Sequence, residues 1–265
     1  MNHEVVEEIK KEDKKSMKKF IVIMIVSFFG GGIFGAMMGM AEDMSFMSLL
    51  TDGLSGVLKG ISHYIILVTA VITAVFTAVI YRRNRKRFAA WDGEEEAVIE
   101  KIETELSWPL LAINICMIIT YVFLVIGFGE MLAFEEFGMT EIIRICIFLG
   151  GIVLSLVILT VGTSKFVNFE KEINPEKKGS AYDTKFQKKW LESCDEAEKM
   201  KIYQSAFTAY KAVNTTCMIL WFVSLVGITI WDYGIVPVIL IGIIWLVSTI
   251  SYSVEAMKLS QNKES

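Results

Sequence analysis

The sequence predicts an all-α fold, a polytopic membrane helical bundle of six transmembrane helices with both termini cytosolic and long cytosolic helical extensions. Three observations carry this. Apolar blocks of bilayer-spanning length alternate with charged blocks in a 265-residue chain that is 54% hydrophobic and has three prolines. Of the 26 Lys and Arg, 24 fall in alternate inter-span segments, namely 1–19, 82–107, 162–214 and the tail. Only Lys59 and Arg144 are left for the other side, and this positive-inside bias orients every span. Finally, Thr69–Arg87, TAVITAVFTAVIYRRNRKR, joins an uncharged apolar run to five Lys/Arg within six residues. A run that crosses at ~1.5 Å per residue and ends in such a cluster is a span with a retained inner end.

In chain order, residues 1–19 hold six Lys against five acids and form a solvated cytosolic segment. Transmembrane hairpin 1 covers 20–81. Its first span, Phe20–Met40, is longer than the ~7–15-residue core of a cleaved signal peptide and follows a Glu-containing lead, so a retained helix is expected. Gly31, Gly35 and Gly39 form GxxxGxxxG within it. Such a stripe exposes backbone and suits close contact with Thr69, Thr73 and Thr77, which recur every four residues in the second span. The bland alternative is that glycine is simply common in membrane helices. An outer loop is expected over 41–60.

The cytosolic segment 82–108 combines basic residues with the acids of DGEEEAVIEKIETE. Asp92 and Glu95 have capping-box spacing, and Val98, Ile102 and Leu106 make an apolar stripe at helical period. The reading is an amphipathic juxtamembrane helix that stops before Pro109, with Ser107 as N-cap of the next span. Hairpin 2, 109–161, contains spans Pro109–Phe128 and Ile142–Val161 around an acidic loop, 129–141. Gly151 and Ser155 in the later span have small-xxx-small spacing.

The segment 162–212 is the largest polar stretch. NFEKEINPEKKGSAYD reads as a turn-rich linker because of Pro175 and Gly179. A helix follows, with Ser193 and Glu196 at capping-box spacing and a stripe of Met200, Tyr203, Phe207 and Tyr210. No breaker separates it from the apolar run, so one helix is expected to enter the membrane. Hairpin 3, 213–252, turns at WDYG, and 253–265 is a cytosolic tail. At an offset of 100, eight identities relate residues 95–127 to the later chain, including Glu96/Glu196 and Asn114/Asn214. Spans three to six thus read as parallel hairpins, an arrangement found in transporters and in proteins that transport nothing.

Sequence motifs for chemistry are sparse. Histidine occurs only at His3 and His63, and there is no HExxH, GxSxG or GxxxxGK[ST]. The expectation is therefore no catalytic residue, no metal and no cofactor. Glu135-Glu136 with Arg144 lacks the spacing and histidines of the CAAX-type membrane proteases. A net charge of −4 argues against nucleic-acid binding. Three of the four cysteines fall in apolar spans, so no disulfide framework is implied. The buried polar candidates are Asn114 and Asn214, as interhelical hydrogen-bond partners or as the lining of an inner-leaflet cavity. Trp190, Asp195, Glu196, Tyr203, Phe207 and Tyr210 are the candidate docking face. The alternative for its aromatics is packing on the 82–107 segment or on lipid headgroups.

The stretch from Ile173 to Asn214 carries a likeness. Its turn residues Asn174, Pro175 and Gly179, then Phe186, Trp190 and Ser193-Cys194-Asp195-Glu196-Ala197-Glu198, resemble the bacterial membrane family called domain of unknown function 3169, common in Firmicutes. The resemblance implies a multi-pass protein of the bacterial cytoplasmic membrane with a regulatory or accessory role. The resulting expectation is a non-enzymatic membrane protein that presents 162–212 to a protein partner. The rival is a small-solute transporter or permease component built around Asn114 and Asn214. The lipid bilayer is the expected environment, and homo-oligomerisation stays open.

Overall fold

The computed structural model describes residues 45–132, 134, 138–231 and 234–261, together with Val22, Ile25, Val26 and Phe29. The glycine stripe Gly31, Gly35, Gly39, the Glu135-Glu136 pair and most of the first expected span lie outside the described residues. The chain divides into two compact units, Met1–Thr51 and Asp52–Ser265. In the first, Val22, Ile25, Val26 and Phe29 are helical and exposed. The second carries the architecture, which is entirely helical among the described residues. Its helices are α1 (Ser45–Ala89, beginning in the first unit), α2 (Glu96–Leu132), α3 (Met139–Val157), α4 (Thr163–Ile173), α5 (Phe186–Glu192), α6 (Glu196–Trp231) and α7 (Val236–Gln261). A π-helical turn, Ile158–Gly162, joins α3 to α4 as one continuous rod. Among the described residues, five helices are long and apolar enough to cross a membrane: α1, α2, the α3–α4 rod, α6 and α7.

Helix ends extend beyond the expected loops, for local reasons. Helix α1 already includes 45–60, where an outer loop was expected: the stretch holds no proline, and the helix tolerates its three glycines, Gly53, Gly56 and Gly60. Helix α2 runs through Pro109 rather than stopping before it. Proline removes one backbone donor, and the buried stripe Ile102, Leu106, Pro109, Ile113, Cys116 and Thr120 holds both halves in line. Ser107 is consequently no N-cap, and its hydroxyl donates back to the Glu103 carbonyl at 3.4 Å. Asp92 accepts from the Glu94 amide in a tight turn with Gly93 at φ +91°, so the expected Asp92/Glu95 box is absent. Residues Asn168–Ile173, expected in a linker, belong to α4. That helix ends at Asn174 because the following Pro175 pushes it to φ −119°, ψ 85°. Helices α2 and α6 start at Glu96 and Glu196, the same offset of 100 as the sequence repeat.

Packing is concentrated toward the charged ends of α1, α2 and the α3–α4 rod. On α1, Ser62, Ile66, Ala70, Thr73, Thr77, Ile80 and Asn84 are buried at intervals of three and four. Thr77 donates to the Thr73 carbonyl at 2.7 Å and the half-buried Thr69 to that of Ile65 at 2.7 Å, so these hydroxyls bring no unpaired donor into an apolar layer. At Gly151 the α3 helix meets the α1 backbone: a Cβ there would lie 2.7 Å from the Leu67 nitrogen. One turn on, Ser155 accepts from Thr120 of α2 at 3.1 Å while donating to the Gly151 carbonyl. The principal core then gathers Ala70, Ile102, Leu106, Ile113, Phe166 and Phe169, with Tyr81 and Phe88 against it. The basic cluster of α1 closes this end. Arg83 and Arg87 both reach Glu105 of α2, and Arg85 pairs with Glu172 of α4 while covering the Phe169 ring at 4.9 Å. Residues read as topology signals thus also tie three helices together.

Helices α6 and α7 pack mainly on each other. Tyr210 stacks on Tyr252 with centroids 4.4 Å apart, and Phe207 reaches the same ring at 6.3 Å. Gly234, at φ +68°, supplies the left-handed turn between them. Trp231 ends α6, while Asp232 and Tyr233 of the WDYG turn lie outside the described residues. All four cysteines are free thiols.

Candidate functional site

A polar stripe on α2 begins the site. Glu103, Ser107, Leu110 and Asn114 recur at i, i+4, i+7 and i+11, so they share one helix face. Thr163, Phe166 and Glu170 do the same on α4, which packs beside α2. The short helix α5 closes over both with Phe186, Gln187 and Trp190. Together these elements line a cavity of about 670 Å³. It lies at the charged end of the bundle and reaches along α2 from Glu103 to Asn114, roughly 16 Å at the helical rise.

The carboxylates give the cavity its sign. Among the described residues, Glu103 and Glu170 are the only charged ones that line it, and no Lys, Arg or His does. The Asn174 amide nitrogen donates to both, at 2.7 Å to Glu103 and 3.1 Å to Glu170. Burial, with the Glu103 charge adding to it, holds the Glu170 carboxyl above its usual range. Opposite them, the Phe186 and Trp190 rings lie 5.4 Å apart and tilted by 47°. Phe166 and Val167, both buried, supply apolar wall.

The lid over this cavity is pinned by side chains. Lys177, 6% exposed, pairs with Glu198 and lies 3.7 Å from the Cys194 sulfur. Lys171 donates to the Gly179 carbonyl, and the Lys178 amide to Ser193 Oγ at 3.0 Å. Helix α6 is capped by Asp195 and Glu198: the Glu198 amide donates to Asp195 at 2.7 Å and the Asp195 amide to Glu198 at 3.0 Å. This corrects the expected Ser193/Glu196 box, since two overlapping pairs have the same spacing. Ser193 instead ends α5 and donates to the Trp190 carbonyl at 2.7 Å. Glu196 points to solvent and pairs with Lys199.

The expected site residues are therefore distributed. Asn114 and Trp190 meet in the cavity. Asn214 lies apart, its amide donating to the Tyr210 carbonyl at 3.1 Å. Thr69, Thr73 and Thr77 lie on α1 away from the cavity lining. Of the aromatic stripe, Phe207 and Tyr210 pack on α7, whereas Met200 and Tyr203 are 56% and 54% exposed. Glu103, Glu170, Gln187 and Lys177 were not singled out as site residues from the sequence, and Asn174 was singled out only as a turn residue. The i, i+4, i+7, i+11 stripe on α2 was the signal that could have found the first of them.

Glu170 gives the site a pH dependence. With its carboxyl held high in the fold, the folded state binds more protons than the unfolded one, so stability falls as pH rises from 4.5 through the folded-state value. Glu170→Gln removes that penalty. The variant is expected to melt above the parent protein at about pH 8 and to converge with it at about pH 4. A difference that is the same at both pH values would remove Glu170 as the cause.

Fold and site define the class: an all-helical protein with a bilayer as its environment and a built cavity at the charged end of its helices. The chain belongs to the family described as Protein of unknown function (DUF3169), whose family model matches residues 14–256. No curated protein and no solved structure matches the chain.

Proposed function

We propose that this chain is a non-enzymatic regulatory or accessory protein of a bacterial cytoplasmic membrane, six-spanning with both termini cytosolic, that presents 162–212 to a protein partner. The concentration of 24 of 26 Lys and Arg on one side supports the orientation. What supports the role is the architecture of the presented segment. Residues 174–195 are fixed onto the helix ends by side-chain bonds, and beside them Met200 and Tyr203 stand exposed among Glu196, Lys199 and Lys201. Tyr is enriched at partner hot spots and Met at interface cores, which is why this exposed pair is the proposed contact. The test is purification in mild detergent with mass spectrometry of what stays bound, for the parent and for Met200→Ser/Tyr203→Ser. The double variant is expected to lose the partner while its melting temperature is unchanged. A partner retained at the same stoichiometry would refute the docking role.

The convergence of Glu103, Asn114, Glu170 and Gln187 in one cavity favours a second reading, a small-solute transporter or permease component. Uptake of a solute by vesicles holding the purified protein alone would select it over the first.

A further inference from the structure

We infer that the cavity between α2, α4 and α5 binds an amphiphilic organic cation, an ammonium group carried on an apolar body. The inference goes beyond both functional readings and holds whether the bound molecule is sensed or carried.

Charge is the first support. Two half-buried carboxylates face a space that no basic side chain among the described residues lines. Arg83, Arg85 and Arg87 are committed to Glu105 and Glu172, and Lys177 to Glu198. Glu103 and Glu170 share the Asn174 amide, a neutral donor that positions two like charges. The Lys177 charge acting on Glu170 does not outweigh burial and the Glu103 charge, since the Glu170 carboxyl stays above its usual range. A cation entering here would screen their repulsion and offset, by direct attraction, the burial that disfavours the ionised Glu170.

Shape and surface chemistry narrow the class. Trp190 and Phe186 form two tilted aromatic walls, and an ammonium over an aromatic face is attracted by the ring quadrupole, most strongly by indole. Deeper in, Leu106, Leu110 and Phe166 offer apolar contact, and Asn114 offers one polar group at the far end. A volume of about 670 Å³ suits a compact organic molecule rather than a bare metal ion. The ammonium could belong to a lipid headgroup such as ethanolamine or to a free hydrophobic amine.

Isothermal titration calorimetry on the full-length protein, in nanodiscs of phosphatidylglycerol alone, tests this with benzyltriethylammonium as probe. Saturable binding is expected, with the uncharged carbon isostere of the probe binding about tenfold or more weakly. Glu103→Gln/Glu170→Gln should weaken the probe by about tenfold or more, and Trp190→Leu should weaken it more than Trp190→Phe. Melting temperatures recorded alongside keep a folding defect distinguishable from a binding one. Adding phosphatidylethanolamine to the nanodiscs separates the sources: competition identifies a headgroup, and its absence a free amine. No saturable binding to the parent, equal affinity for the isostere, or undiminished affinity in the folded double Gln variant would each overturn the inference. Loss of the protein partner has no bearing on this result, so the two proposals fail separately.

Discussion

Phe169→Ala is expected to destabilise the protein by about 3–5 kcal/mol, the usual cost of emptying a fully buried phenylalanine site. Phe169 is 1% exposed and is the largest fully buried side chain among the described residues. Its ring meets Tyr81 at 5.7 Å and Phe88 at 5.6 Å edge-on, and Arg85 covers it at 4.9 Å. Three groups of α1 therefore converge on one ring of α4, beyond the apolar run of the α3–α4 rod. Water competes for that space if the ring is removed, and the Arg85–Glu172 pair loses the surface it lies on. In mild detergent the melting temperature should fall by on the order of 10 °C. Phe128→Ala is the comparison, because Phe128 is 55% exposed on the same bundle and should change melting little. Equal effects of the two substitutions would contradict the assignment of Phe169 to the core.

Glu198→Gln is expected to cost about 2–3 kcal/mol, discounted from the fully buried case because the Glu198 side chain is 37% exposed while that of Lys177 is only 3%. The glutamine still serves as the third residue of the helix cap, so the loss isolates the charge. It strands the Lys177 ammonium in a buried place. Adding Lys177→Met should return much of the stability, and the double variant should melt above Glu198→Gln alone. Additive losses instead would show that the two residues act separately. Burial opposes the charge on both partners, but their ion pair outweighs it, raising Lys177 and lowering Glu198. The stabilisation is thus complete between about pH 4.5 and 10.5, is lost as pH falls through the lowered Glu198 value, and is lost again as it rises through the raised Lys177 value.

Much of the bundle was legible because it is written in local pattern. Five of the apolar runs identify helices among the described residues, and the offset of 100 aligns the starts of α2 and α6. Where local signals overlapped, the reading went astray. Ser193/Glu196 and Asp195/Glu198 carry the same spacing, and only the fold of α5 over α4 shows that Ser193 already ends one helix while Asp195 begins the next. Pro109 looked like a stop because a single missing donor is visible in sequence, whereas the burial on both sides that offsets it is not.

By itself the sequence determined the helical class, the membrane-length runs and their charged ends, since these follow from hydropathy and i, i+4 periodicity within single segments. Tertiary structure alone decided that Glu103 and Glu170 share one amide, that Trp190 lines a cavity, and that Phe207 and Tyr210 pack on Tyr252. The reason is physical. Two carboxylates on separate helices acquire a common field only when those helices pack, and an aromatic side chain has no wall to face until another element supplies the opposite one.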